Sequence, residues 1–302
     1  MTLNKIGYGT WPLAGNINKS ISYGKVNDEE SKKSLLLSLN LGINFYDTSD
    51  FYGYGHVEKL IGDVFENSRT KINICTKGGF ISNDGKQNFD TTYLLNTLKQ
   101  SLINLKTSYV DVYMLHSPTV EVFSKNTTID FLKRLIDDGY TKEIGVSIRN
   151  PDDGIDAIKC GYKIIEVNYN ILDIRIEENG LLQLCKENNV KTIIRTPLAQ
   201  GILSGKFTFN DDASDIRNKW SKSHVDKQTK IFKKMMEVLN PNDYTFAQNC
   251  LRFCLSNNDC SVIIPGMKTE NEVIENIKSI NLPVLTEEEL FKIKQIYKEE
   301  KL

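Results

Sequence analysis

Residues Ile43–Gly53 read INFYDTSDFYG, and this stretch decides how the chain is interpreted. Its first half predicts a short buried strand that runs to Asp47. The carboxylate of Asp47 and the phenol of Tyr52 then stand five positions apart at the C-terminal end of that strand.

Two later strand-like runs also end in side chains that carry chemistry. Ile72–Thr76 is followed directly by Lys77, and Val110–His116 ends in an imidazole. An acid, a phenol, an ammonium and an imidazole at successive strand ends indicate one site for moving protons and hydride.

Eight strand-like runs alternate with helical patterns along nearly the whole chain. Most are apolar on both faces, as expected for parallel strands covered on both sides. This alternation favours an α/β fold of the closed (β/α)8 or TIM-barrel type. Because 302 residues suit one such barrel, we expect a single domain over 1–302. The predicted strands are Lys5–Trp11, Ile43–Asp47, Ile72–Thr76, Val110–His116, Glu143–Ser147, Ile164–Asn168, Thr192–Thr196 and Ser261–Ile264.

Helical patterns fill the gaps between the strands. Acidic residues at Asp28–Glu30 predict a helix start, and Ser34–Leu41 carries the apolar positions of that helix. Thr208–Lys222 is polar and predicts a long loop, whereas Thr286–Leu302 predicts an extra C-terminal helix. Further helices are expected at Tyr93–Leu105, Ile129–Asp138, Gly180–Glu187 and Thr269–Ile280.

The four strand-end residues suit a proton-coupled reduction in which Tyr52 is the general acid. A free phenol has a pKa near 10, which is too high for efficient donation at neutral pH. A neighbouring ammonium lowers that pKa, and Lys77 is placed to supply it. Asp47 would hold Lys77 charged, while His116 would polarise a substrate carbonyl. Each residue alone also has an ordinary structural explanation, such as packing, a surface charge or a helix cap.

Bulk properties argue against several other classes of protein. The formal net charge is −1, so no nucleic-acid or membrane partner is expected. There is no signal-like N-terminus and no apolar run of roughly 18 residues, which predicts a cytoplasmic protein. The six cysteines lack metal-ligand spacing, so we expect buried reduced thiols and no metal site.

Several short motifs, in this order, resemble the aldo-keto reductase family over nearly the whole chain. The matching pieces are Gly7–Trp11, Gly42–Thr48 with Tyr52-Gly53, Thr76-Lys77, Leu115–Ser117, Gly145–Ser147, Tyr169-Asn170, Pro197–Lys206, Ile264–Gly266 and Asn276. The resemblance implies an (α/β)8 barrel and a nicotinamide cofactor, usually NADPH. It also implies a catalytic tetrad, whose roles map onto Asp47, Tyr52, Lys77 and His116.

The cofactor is not expected to bind in a Rossmann manner, because no G-x-G-x-x-G opens a helix after a strand. Two late loops offer an alternative phosphate site. Gly201–Lys206 exposes backbone amides and ends in a lysine, although an ordinary turn would look the same. Lys268 precedes a helix and is expected to meet a 2′-phosphate, which favours NADPH over NADH; its alternative is a surface cation.

The resemblance places Thr10 and Trp11 in the site, Ser147 on the nicotinamide amide, and Glu272 and Asn276 near the adenine. The full set of predicted cofactor-binding residues is Thr10, Trp11, Ser147, Glu166, Arg195, Pro197, Leu198, Gly201, Leu203, Gly205, Lys206, Ile264, Pro265, Gly266, Lys268, Glu272 and Asn276.

Three positions depart from the family pattern. Ile148-Arg149 follows Ser147, where many members have an asparagine, Glu166 replaces the usual glutamine, and Arg195 replaces a common aromatic residue. Because strands 6 and 7 are adjacent, Glu166 and Arg195 are expected to form an ion pair beside the nicotinamide. A guanidinium can stack on a planar ring but is repelled by the oxidised cation, so Arg195 is expected to favour the reduced cofactor. A purely structural salt bridge is the alternative.

The leading functional prediction is an NADPH-dependent reductase of a small aldehyde or ketone. The alternative is a cofactor-binding regulatory protein with little turnover. A carboxylate hydrolase using Asp47 and Asp50 is disfavoured, because no partner acid stands on another strand end in a motif-like setting. The loops expected to form the substrate pocket are polar, which weakly favours a sugar-like substrate; they are Gly15–Lys25, Gly79–Asn88, Thr119–Thr127 and Thr208–His224. The sequence makes no prediction of oligomeric state.

Overall fold

A computed structural model describes residues 3–210, 212–239 and 244–300 of the chain. Its eight strands form one parallel sheet whose spatial order follows the sequence. The two edges meet, because Ile6 bridges to Ile263 and Gly9 bridges to Gly266. The predicted (β/α)8 barrel is therefore confirmed. Its strands are β1 Tyr8–Gly9, β2 Phe45–Asp47, β3 Asn73–Gly78, β4 Val110–His116, β5 Thr141–Ser147, β6 Ile164–Asn168, β7 Lys191–Arg195 and β8 Val262–Ile263.

Helices surround the barrel, and short 3-10 turns lie at Trp11–Ala14 and Ala199–Ser204 among other places. The expected extra helix beyond β8 is present, and Thr286 caps it through the amide of Glu289. The helices are α1 Asp28–Asn40, α2 His56–Phe65, α3 Thr91–Asn104, α4 Val120–Phe123, α5 Asn126–Asp137, α6 Pro151–Lys159, α7 Arg175–Glu178, α8 Leu181–Glu187, α9 Lys222–Val238, α10 Phe246–Leu255, α11 Glu270–Lys278 and α12 Glu287–Glu299.

The barrel interior is a distinct apolar cluster drawn from most of the strands. Its members are Phe45, Cys75, Val112, Met114, Ile164, Ile193, Val262 and Ile264. Since side chains alternate across a strand, residues two positions further along face the same interior. Those positions are Asp47, Lys77, His116, Glu166 and Arg195. The polar site therefore continues the apolar core toward the C-terminal mouth of the barrel.

Strand boundaries differ from the expected ones mainly at the first strand. Lys5–Trp11 was predicted, but β1 covers only Tyr8–Gly9, because the chain turns into a 3-10 helix at Trp11. Lys77 lies within β3 rather than just after it. The predicted Thr208–Lys222 loop contains a short 3-10 helix at Ile216–Lys219, and its last residue begins α9.

All six cysteines are unpaired; five are buried and Cys160 is partly exposed. Within the described ranges, no three histidine, cysteine or acidic side chains are grouped as metal ligands would be. No described helix has both the length and the apolar character required to cross a membrane.

Candidate active site

Lys77 and Asp47 form a buried ion pair at the mouth of the barrel. Lys77 Nζ donates to Asp47 Oδ1 at 2.5 Å and to the Thr48 carbonyl at 3.1 Å. Its side chain is fully buried, where an unpaired ammonium would be strongly disfavoured. Burial lowers the pKa of Lys77, but Asp47 and Glu166 outweigh burial and hold that pKa well above its ordinary value. Its two acidic neighbours therefore favour the charged form of Lys77.

A second carboxylate shares this cation. Glu166 Oε2 lies 3.2 Å from Lys77 Nζ, and Ser147 donates to Glu166 Oε1 at 3.1 Å. Burial is the main reason that the pKa of Asp47 rises to about 8, and the nearby Glu166 charge adds to it, while Lys77 opposes both. The carboxyl groups of Asp47 and Glu166 thus both contact the ammonium of Lys77.

Tyr52 lies beside the same cation. Lys77 Nζ is 5.4 Å from the centre of the Tyr52 ring, and the indole of Trp11 meets that ring edge-on at 4.8 Å. Burial raises the pKa of Tyr52 well above its ordinary value, and Lys77 only partly offsets this rise. The expectation that Lys77 brings this pKa below its usual value is therefore wrong for the protein by itself. The direction of the lysine's own effect is as expected.

His116 completes the group as a neutral imidazole. Its Nδ1 is 3.1 Å from Ser49 Oγ, and its ring lies between those of Tyr52 and Phe80. Burial, followed by the positive charge of Lys77, holds the pKa of His116 well below its ordinary range. A neutral imidazole can hydrogen-bond a carbonyl oxygen without placing a further positive charge in the site.

These side chains open into a cavity of about 610 Å3. Aromatic rings form its inner wall, with Trp11 stacked on Phe51 at 6.2 Å and Phe51 against Phe80 at 5.4 Å. A volume of this size is typical of small-molecule and cofactor sites.

Most of the predicted cofactor residues line this cavity, together with Asp47, Tyr52 and His116. Those that line it are Trp11, Glu166, Arg195, Pro197, Leu198, Gly201, Lys206, Ile264, Gly266, Lys268, Glu272 and Asn276. The others do not line it: Thr10, Ser147, Leu203, Gly205 and Pro265. Thr10 is fully buried and donates to the Asp47 carbonyl at 2.7 Å.

The outer end of the cavity carries basic side chains. Arg217 pairs with Asp215 at 2.6 Å, and its guanidinium lies over the rings of Tyr23 and Phe207 at 4.9 and 5.0 Å. Gly201 approaches so closely that a Cβ there would meet Arg217 Nη1 at 2.9 Å, and its φ of +99° favours glycine. The backbone of Gly201 and the guanidinium of Arg217 thus come together in the cavity wall.

Lys268 and Glu272 occupy the start of α11 at the same rim. The Lys268 ammonium donates to the Tyr23 carbonyl, so this side chain already has a partner. Glu272 Oε2 accepts from the Lys268 amide at 2.6 Å and from the Thr269 amide at 3.2 Å. A carboxylate of the chain itself therefore satisfies the amides that an anion would use at this helix N-terminus.

Sequence reasoning missed several side chains that line the cavity, among them Tyr23, Phe51, Phe80 and Arg217. Tyr23, Phe80 and Arg217 lie in loops that were expected near the pocket, but nothing in their sequence singled them out. Phe51 lies within Ile43–Gly53. Its position between Asp47 and Tyr52 was the available signal that it would line the cavity. No described residue of the expected loop Thr119–Thr127 lines this cavity.

The residues present fit a nicotinamide dinucleotide. At the inner end, Glu166 Oε2 and Arg195 Nε are buried with ion-pair contacts at 3.2 Å and 3.7 Å but without hydrogen bonds, and both residues line the cavity. Buried polar atoms are normally paired, so a polar ligand group would satisfy them. At the outer end, Arg217, Lys206 and Lys268 offer positive charge to phosphates.

Comparison with known proteins identifies the family. The sequence pattern of the Aldo/keto reductase family matches residues 5–298. An uncharacterized oxidoreductase of Bacillus subtilis, YqkF, is 29% identical, covering 96% of this chain and 91% of its own. The aldo-keto reductase yakc [NADP(+)] of Schizosaccharomyces pombe is 28% identical, covering 92% and 86%. The holo structure of an aldo-keto reductase from Bacillus halodurans superposes with a TM-score of 0.78 at 25% identity, covering 97% of this chain and 92% of that one. With its barrel and its buried Lys77–Asp47 pair, this chain belongs to the aldo-keto reductase family.

Proposed function

We propose that this protein reduces an aldehyde or ketone to an alcohol with NADPH, and that Tyr52 is the general acid. The observation that carries the proposal is the buried Lys77–Asp47 pair, whose ammonium lies 5.4 Å from the Tyr52 ring. The bound nicotinamide would supply the hydride. All other steps depend on side chains of this chain.

His116 and Tyr52 would both hold the substrate's carbonyl oxygen. Negative charge develops on that oxygen as the carbonyl carbon is reduced, and preorganised donors stabilise it. The neutral imidazole of His116 donates a hydrogen bond, and the Tyr52 hydroxyl transfers its proton. Lys77 then stabilises the tyrosinate that remains, because a cation close to a phenolate favours its charged form.

The aromatic inner wall would exclude water and orient the substrate. Trp11, Phe51 and Phe80 offer flat faces beside Tyr52 and His116, which suit a planar carbonyl group or the apolar face of a small sugar. A small carbonyl compound is therefore the proposed substrate class.

The cofactor would lie along the cavity from Glu166 and Arg195 to the start of α11. The proposed contacts are the predicted cofactor residues that line the wall, with Arg217 added. The naming of NADP(+) for the Schizosaccharomyces pombe relative supports the choice of the phosphorylated cofactor.

A cofactor titration followed by a carbonyl panel tests the proposal, with Tyr52→Phe as the matched variant. Wild-type protein should bind NADPH and consume it with at least one aldehyde or ketone. Tyr52→Phe should keep cofactor affinity within about twofold and lose about 10²–10⁴-fold in turnover, because only the proton donor is removed. Cofactor binding without reduction of any carbonyl would instead support a regulatory role, and lack of binding would reject both.

A further inference from the structure

Glu166 is a buried carboxylate that takes no direct part in the proposed proton transfer from Tyr52. Glu166 is 2% exposed. Its Oε2 lies 3.2 Å from Lys77 Nζ, an ion-pair contact, but takes part in no hydrogen bond. Asp47 already lies against Lys77 Nζ at 2.5 Å. A second negative charge beside one lysine would weaken the lysine's effect on Tyr52.

Arg195 provides the second positive charge. It lies at the end of β7, with Nε 3.7 Å from Glu166 Oε1. Its Nη2 donates to the Ile148 carbonyl at 3.0 Å, which anchors the guanidinium beside β5. The expected Glu166–Arg195 ion pair is therefore present, but Glu166 also reaches across the barrel to Lys77.

The interior therefore contains two basic side chains, Lys77 and Arg195, and two carboxyl groups, Asp47 and Glu166. An uncompensated charge is strongly disfavoured in a buried site. Glu166 and Arg195 therefore each reduce the free-energy cost of burying the other. The negative charge of Glu166 partly cancels the effect of the Lys77 charge on Tyr52. The positive charge of Arg195 offsets this cancellation.

We propose that Glu166 and Arg195 are a charge-compensating pair of positioning residues that sets how tightly Tyr52 holds its proton. This inference rests on the proposed role of Tyr52 as the proton donor. The charges around Tyr52 come from several strands, namely Asp47 on β2, Lys77 on β3, Glu166 on β6 and Arg195 on β7.

The signs of these influences agree with the geometry. Burial raises the pKa of Tyr52 most, Lys77 and Arg195 lower it, and Asp47 and Glu166 raise it. Two more groups complete the surroundings. His116 is kept neutral by burial and by Lys77, Arg195 and Arg149, and burial raises the pKa of Cys75 so that it stays a thiol beside Asp47.

The test compares Glu166→Gln, Arg195→Met and the double variant. The measurement is the pH dependence of NADPH oxidation in a single turnover with a saturating aldehyde, whose alkaline limb reports the coupled titration of Tyr52 with Asp47 and Lys77. Glu166→Gln should shift the alkaline limb about 0.5–1 pH unit lower, and Arg195→Met should shift it by a similar amount upward. The double variant should return within about 0.3 unit of wild type, since neither charge remains. Arg195→Lys keeps the charge and should leave the limb in place.

Shifts of both single variants in one direction, or a double variant that retains the full shift of either, would overturn the proposal. A structural salt bridge alone would lower stability without moving the limb in opposite directions.

A second readout needs neither cofactor nor substrate. The infrared carbonyl band of a protonated carboxyl group reports on Asp47, whose pKa is raised to about 8 by burial and by Glu166. Asp47→Asn identifies the band. Its titration midpoint should move to lower pH in Glu166→Gln and to higher pH in Arg195→Met. An unchanged midpoint in both would refute the compensating pair even if the protein reduces carbonyls. If the expected shifts appear in a protein that reduces no carbonyl compound, only the proposed function is rejected.

Discussion

At the scale of single residues, Lys268 and Glu272 compete for the rim of the cavity. Lys268 is partly buried, and burial together with Arg217 lowers its pKa. The Glu272 carboxylate accepts from the amides of Lys268 and Thr269 at the start of α11. One of the two would attract a 2′-phosphate, and the other would repel it.

We expect Lys268→Met to weaken NADPH binding about five- to tenfold while changing NADH binding less than twofold, since one charge contact of about 1 kcal/mol is lost. Glu272→Gln should strengthen NADPH binding relative to NADH. Glutamine can keep the capping box with Thr269, which makes this variant a matched control for folding. Fluorescence titration with both cofactors measures these changes, and equal effects on both cofactors would contradict this assignment.

Arg195 is expected to distinguish the two oxidation states of the cofactor. Its guanidinium lines the cavity with Glu166, where it would be repelled by an oxidised nicotinamide but not by a reduced one. Arg195→Met should therefore lose more affinity for NADPH than for NADP+, by about threefold or more. Calorimetric titration with both forms provides the measurement, and equal losses would show that Arg195 is only structural.

At the scale of secondary-structure elements, the close contact between the first and last strands joins the edges of the barrel. Gly7 N donates to the Ile263 carbonyl at 2.8 Å, and Gly9 N donates to the Pro265 carbonyl at 3.0 Å. A Cβ at Gly9 would meet the Ile264 carbonyl oxygen at 2.7 Å, which is closer than real contacts allow.

Gly9→Ala should therefore reduce the free energy of unfolding by about 1–3 kcal/mol, because the two strands must move apart. Gly161→Ala is the control. A Cβ at Gly161 would meet no atom within 4 Å, so this substitution adds only the strain of a left-handed φ of +88°. That control should cost about 1 kcal/mol. Urea unfolding compares the two, and a Gly9→Ala protein as stable as wild type would refute the close contact.

The elements also show what the sequence could and could not predict. The sequence placed Asp47, Lys77 and His116 at the ends of successive strands, because the end of a short apolar run is a local property of the sequence. The reach of Glu166 from β6 to Lys77 on β3 was not predictable, since it depends on the radius of the closed barrel. The contact between Lys268 and the Tyr23 carbonyl likewise depends on how a long loop folds over the rim.

At the scale of the whole molecule, the buried charges couple folding to pH. Because the pKa of Asp47 is raised to about 8 in the folded state, the folded protein holds a proton that the unfolded chain releases near pH 4. The contribution of Asp47 is therefore fully present below about pH 4 and is lost as pH rises through about 8.

Wild-type protein should thus lose unfolding free energy from this group as the pH rises from about 5 to about 9. Asp47→Asn should show a flatter dependence over the same range, since the titrating carboxyl group is gone. Urea denaturation at several pH values gives both curves. Parallel curves for the two proteins would contradict the raised pKa of Asp47.

The most direct test of the central claim is the single-turnover rate of NADPH oxidation in Lys77→Met, measured with saturating cofactor and an aldehyde that the wild type reduces. If Lys77 stabilises the Tyr52 phenolate, the rate should fall about 10²–10⁴-fold while the NADPH dissociation constant stays within about threefold. A Lys77→Met rate within about threefold of wild type, in a protein that still folds and binds NADPH, would contradict the claim.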